Sequence, residues 1–124
     1  MSSDQEISNS DKLYYRIHKN NVVNGEIVPA AFKPINGGMS TDWSALSTPE
    51  KCRLRARNVE NNGVVSFVVA EVRAIKPLEV NHTPSENNSS HTDIKHPGAN
   101  FSNSFPIQIR LDLRKSSNWE INLS

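Results

Sequence analysis

The sequence predicts an α+β domain built on a small mixed sheet, and three observations carry that expectation. Apolar and polar residues alternate along Leu13-Tyr14-Tyr15-Arg16-Ile17-His18 and again over 107–115, the period of a half-buried strand. Between these segments, 64–75 is rich in β-branched residues: Val64, Val65, Val68, Val69, Val72 and Ile75. Such side chains pack well on a pleated surface. Ser47-Thr48-Pro49-Glu50 marks a helix start. It offers a hydroxyl cap, a proline where no N–H is needed and a carboxylate near the positive helix end.

Taken in order, the elements read as follows. Residues 1–11 carry one large apolar side chain, Ile7. They have little to bury and are expected to form a flexible tail ahead of a single domain over 12–124. A first strand over 13–18 ends in a turn tightest at Asn24-Gly25, a dipeptide that tolerates left-handed backbone. Pro29 and Pro34 confine 26–35 to an extended edge segment with Phe32 inward. Met39 to Ser44 is a short strand anchored by Trp43. The helix is expected over about 49–58 and stops at Asn61-Asn62-Gly63. A core strand over 64–75 follows, then a long polar loop over about 81–103 in which His91-Thr92-Asp93-Ile94 is a structured island. For 107–115 the alternation of Ile107, Ile109, Leu111 and Leu113 argues for a strand, with a helix as the competing reading. Trp119 to Leu123 closes the sheet.

Composition narrows the function. The 14 basic and 13 acidic residues leave a net charge of +1, which is not the coat of a histone-like protein. The polar start, Met-Ser-Ser-Asp-Gln-Glu, is not a secretory signal. The longest apolar run falls far short of the roughly 20 residues that span a bilayer. A soluble cytoplasmic protein without membrane contact is therefore expected. The single cysteine, Cys52, has no intrachain disulfide partner. No glycine-rich phosphate loop is present, because Gly37-Gly38 leads into Met39.

Four segments resemble those of a group of small uncharacterised bacterial proteins. They are Leu13-Tyr14-Tyr15-Arg16-Ile17, Ala30-Ala31-Phe32-Lys33-Pro34, Met39-Ser40-Thr41-Asp42 and Asn88-Ser89-Ser90-His91. In the last, the group carries Asn-Pro-Ala-His, so its central proline and alanine are missing here. The likeness spans 13–94. It brings no activity with it, but it directs attention to Arg16, Phe32, Ser40, Asp42, Asn88 and His91.

Several constellations could carry chemistry. His82 and His91 with Asp93 would suit zinc or iron if a turn brought them together, although their spacing is that of polar loop residues and no metal or other cofactor is expected. Cys52 lies beside Lys51 and Arg53, which favour a thiolate, but a lone helical cysteine is ordinarily packing. An imidazole beside a carboxylate, as at His91 and Asp93, makes a base when the two project together. The order of Arg16 or His18, then Ser40-Thr41, then Glu71 or His91 resembles that of ADP-ribosyltransferases. Those small β-rich folds place an arginine or histidine on an early strand, serine or threonine on a second and a polar residue later. Lys51, Arg53, Arg55 and Arg57 form one basic cluster, and Arg110, Arg114 and Lys115 another. Side by side they would bind phosphates of RNA or DNA.

The residues alone rank three functions. First comes a non-catalytic interaction module or accessory subunit with a protein partner. Second is a nucleic-acid binder using Lys51, Arg53, Arg57, Arg110, Arg114 and Lys115. Third is a small ADP-ribosyltransferase-like enzyme, with Arg16 or His18, then Ser40-Thr41, then Glu71 or His91 in its order; no catalytic residue is assigned, Arg16, His18, Ser40, His91 and Asp93 being the candidates.

Overall fold

A computed structural model describes residues 6–35, 37–97 and 104–123. The fold is α+β. Strand β1 (Lys12–His18) runs into a short hairpin of β2 (Val22–Val23) and β3 (Glu26–Ile27). Asn24 and Gly25 turn that hairpin at φ 53° and 81°, the left-handed pair that a two-residue turn demands. After β4 (Gly38–Trp43) come helix α1 (Pro49–Leu54), strand β5 (Asn62–Val68) and helix α2 (Val69–Ala74). Strands β6 (Glu79–His82) and β7 (His91–Lys95), helix α3 (Ile107–Ser116) and strand β8 (Asn118–Ile121) complete the chain.

Among the described residues the main sheet has six strands in the order β6-β7-β4-β1-β5-β8. Every described pairing is antiparallel, where a mixed sheet was expected. Alternate residues of each strand face opposite sides. One side carries Leu13, Ile17, Met39, Trp43, Val65, Phe67 and Ile94 into the main core, closed by Phe32, by Val69 and Val72 of α2, and by Ile109 and Leu113 of α3. On the other side Cys52 of α1 packs on Tyr14 and Val64, so α1 covers only part of that face.

The pairing is uneven. β1 and β5 are joined over seven residue pairs, from Lys12–Val68 to His18–Asn62. β4 and β7 are joined over five, from Gly38–Lys95 to Asp42–His91. β1 and β4 meet only at Leu13–Trp43 and Tyr14–Asp42. Beyond Tyr14 the sheet parts into two well-paired halves.

Three expectations are corrected by packing, and two segments carry more structure than composition suggests. The stretch 107–115 is a helix. Ile109 and Leu113, four apart, are buried, while Ile107 is 53% exposed, which a strand burying every second residue would not allow. The run 64–75 changes from strand to helix at Val69, because Val69 N–H donates to Asp11 O and Ala70 N–H to Asn9 O, where a ladder would continue. Val69, Val72 and Ile75 then bury one helical face. Helix α1 ends at Leu54, not near 58, as Arg55 turns its side chain back to Asp42. Within the polar stretch expected as loop over 81–103, the island at 91–94 is strand β7, paired with β6 as a hairpin; 98–103 lie outside the described residues. In the segment expected to be a flexible tail, Ile7 is buried, and Arg73 donates to Ile7 O and Asn9 Oδ1; 1–5 lie outside the described residues.

Candidate functional site

The parting of β1 from β4 opens a cleft of about 230 Å³. Arg16 and His18 stand on one lip, Ser40 on the other, and Tyr15, Lys33 and Asn62 contribute to the walls. These side chains converge because 16 and 18 share one face of β1 while 40 shares that face on β4. Arg16 is held by a 3.0 Å bond from Nη1 to Cys52 O of α1. His18 Nδ1 accepts from Asn20 N–H at 3.0 Å, which leaves the ring proton on Nε2.

Behind Ser40 stands His91. The register pairs Ser40 with Asp93 and Asp42 with His91, and His91 Nε2 lies 3.1 Å from Ser40 Oγ. Its other nitrogen, Nδ1, is 3.0 Å from Thr83 O and 2.9 Å from Thr83 Oγ1. A carbonyl only accepts, so Nδ1 carries the proton and Nε2 presents its lone pair to the serine hydroxyl. Asp93 Oδ1 is 3.9 Å from that same Nε2, placed to stabilise the ring once Nε2 takes a proton. Serine, base and orienting acceptor thus stand in the relation of a nucleophile–base pair with its positioning group.

Below the dyad lies a buried carboxylate. Asp42 is 3% exposed. Its Oδ2 accepts from Arg55 Nε at 3.1 Å and Ser47 Oγ at 3.2 Å, and its Oδ1 accepts from Asn88 Nδ2 at 2.9 Å. A charge taken out of water needs such donors. Asn88 Oδ1 in turn accepts from Ser90 N–H and Oγ at 3.0 and 2.6 Å.

Other candidates are dispersed. His82 projects to the core side, where its ring meets Trp43 at 5.0 Å, while His91 faces the opposite side. The two histidines therefore do not join in one cluster. Among the described residues no group of three His, Cys, Asp or Glu side chains is arranged to hold a metal. Burial first, and the Asp42 charge second, push the Cys52 thiol up to about 12, so the flanking cations do not make it a thiolate. Glu71 lies on α2, across the sheet from the cleft. The two basic clusters sit on opposite faces, Lys51, Arg53 and Arg57 with α1 and Arg110, Arg114 and Lys115 on α3. Arg53, Arg110 and Arg114 are each engaged with a backbone carbonyl. They do not form one phosphate-binding surface. No helix among the described residues is long and apolar enough to cross a membrane.

Arg16, His18, Ser40, His91 and Asp93 were all visible in the sequence as residue types. Lys33 and Asn62 were not singled out, and Thr83 acts mainly through its carbonyl, which no side-chain pattern signals. No protein-family model, curated protein or solved structure matches the chain.

Proposed function

We propose that the chain is a small ADP-ribosyltransferase-like enzyme, working in the cleft between β1 and β4. The observation that carries this reading is the parting of those two strands. It sets Arg16 and His18 against Ser40, with His91 and Asp93 directly behind, and it keeps the order of residue types seen in the resemblance. Arg16 and Lys33 supply the cations that a pyrophosphate needs. In the reaction the ribose C1′–N bond of a nicotinamide dinucleotide breaks, and nicotinamide leaves with the bonding pair. An acceptor hydroxyl forms the new C1′–O bond. His91 Nε2 takes the acceptor's proton in place of the one it now shares with Ser40, and Asp93 balances the imidazolium charge. His91 fills the role for which Glu71 was the other sequence candidate.

This ordering reverses the one drawn from the residues alone. An accessory module calls for a joined apolar surface, yet the exposed Val23, Ile35, Leu46, Leu54 and Ile107 come from β2, the segment before β4, the segment before α1, α1 and α3. A nucleic-acid binder calls for the two basic clusters on one face. The enzyme reading retains a cytoplasmic setting, where the dinucleotide is abundant.

The test is release of nicotinamide from the dinucleotide, followed by chromatography, with water or a nucleophile mixture as acceptor. Wild type is expected to release it. His91→Ala should reduce the rate about 100-fold or more, the usual scale of a lost general base, and Arg16→Ala should act mainly on KM. Nicotinamide release no faster than in the protein-free control would end this reading.

A further inference from the structure

We infer that Asp42 and Asn88 are positioning residues, a latch that sets the tautomer and reach of His91; the inference rests on the transferase reading for its catalytic consequence. The hairpin joining β6 to β7 has to deliver Thr83 O to His91 Nδ1 and His91 Nε2 to Ser40. Its turn is polar and includes Ser85, Glu86 and Asn87, all exposed, so an apolar core does not hold it. What holds it is Asn88. The Asn88 amide donates down to Asp42 on β4, and its oxygen gathers Ser90 N–H and Oγ. Asn88 O accepts from His91 N–H at 3.3 Å, and Ser90 O accepts from Trp43 N–H at 2.8 Å. Arg55, already on Asp42, reaches the same turn through Nη1 to Asn87 O at 3.2 Å. Thr83 N–H also donates to His91 O at 2.9 Å and the His82 ring meets Ser89 O at 2.8 Å, but the approach to His91 from the turn side runs through Asn88 and Ser90, and the side-chain bond of Asn88 ends on Asp42.

The geometry permits an exchange of the two side chains. In Asp42→Asn with Asn88→Asp, the amide nitrogen at 42 would donate to the carboxylate at 88. The amide oxygen at 42 would still accept from Ser47 and Arg55. The second carboxylate oxygen at 88 would still accept from Ser90. Each hydrogen bond and the net charge survive. In Asn88→Asp alone, two carboxylates face each other at the 2.9 Å now spanned by the Asn88–Asp42 bond.

The experiment reads the His91 tautomer from imidazole 15N shifts, with nicotinamide release measured in parallel. Wild type should show the Nδ1–H form. Asn88→Asp should convert His91 toward the Nε2–H form favoured by free imidazole and lower kcat about 100-fold, as expected for a misplaced catalytic group, with KM little changed. The double exchange should restore both. Should Asn88→Asp not fold, Asn88→Ala leaves Asp42 its other two donors and carries the same measurement. A folded single variant that keeps the wild-type tautomer overturns the inference, and so does a folded double exchange that fails to restore it. Because the tautomer is read without turnover, an inactive wild type would overturn the transferase reading while leaving the latch open to confirmation or refutation.

Discussion

A methyl group at position 38 would stand 2.7 Å from Asp93 Cγ and 3.0 Å from its Cβ. Gly38 therefore has no side chain so that Asp93 can lie over β4 beside His91. Asp93 is half-exposed and can swing aside, so Gly38→Ala should cost only about 1 kcal/mol of stability. Its effect belongs on the site, as slower nicotinamide release; a wild-type rate would mean that the placing of Asp93 beside His91 does not matter to turnover. Cys52 makes the opposite case, a reactive residue type kept inert. Burial pushes its folded pKa up to about 12, from the 9.0 of a solvent-exposed thiol. The unfolded thiol gives up its proton first as pH rises. The stabilisation from burying the neutral thiol is therefore complete below about pH 9 and is lost progressively toward pH 12. Alkaline denaturation midpoints should fall across that window, and less steeply in Cys52→Ala. Ellman's reagent at pH 8 should label Cys52 only after unfolding; stoichiometric labelling of the native protein would show the thiol is accessible.

At the scale of elements, Thr48 is the cap of α1, its Oγ1 accepting from Lys51 N–H at 3.1 Å, while Ser47 serves Asp42 instead. Thr48→Ala should cost about 0.5–2 kcal/mol in chemical denaturation, and an unchanged midpoint would remove Thr48 from that role. The cap, the Asn24-Gly25 turn and the first strand were legible because each depends on neighbours in sequence. The elements misjudged depend on distant ones. Residues 107–115 satisfy both a strand and a helix period, and the choice falls to the core beneath Ile109 and Leu113. The break at Val69 is made by carbonyls of Asn9 and Asp11, nearly sixty residues away in the chain. The N-terminal segment consequently contributes to the fold: deletion of 1–11 strips Ile7 from the core and Asp11 from Trp43 Nε1, a 2.9 Å bond. Such a deletion should lower the melting temperature by several degrees, and an unshifted melt would return the segment to the status of a loose tail.

For the whole molecule, the decisive feature is one that no local pattern records: two half-sheets that part past Tyr14 and Asp42. The residue types of the site could be read from the chain, but their meeting depends on the registers of β4 with β7 and of β1 with β5. Both faces of these strands carry polar residues near the cleft, so alternation alone did not specify which would meet. A ligand bridging the lips ties the half-sheets together and binds only the native state. At ten times its Kd, the nicotinamide dinucleotide should stabilise the fold by about 1.4 kcal/mol, a rise of several degrees in melting temperature for a domain of this size. In the proposed site Arg16 and Lys33 would meet the pyrophosphate at a cleft they both line, so part of the rise should be lost in high salt. Adenosine, which lacks the pyrophosphate, should give little shift, and Arg16→Ala should blunt the response to the dinucleotide. Thermal melts of the full chain with each compound decide the matter. An equal shift from adenosine, or an undiminished one in Arg16→Ala, would show that the lips of the cleft are not where the dinucleotide is held.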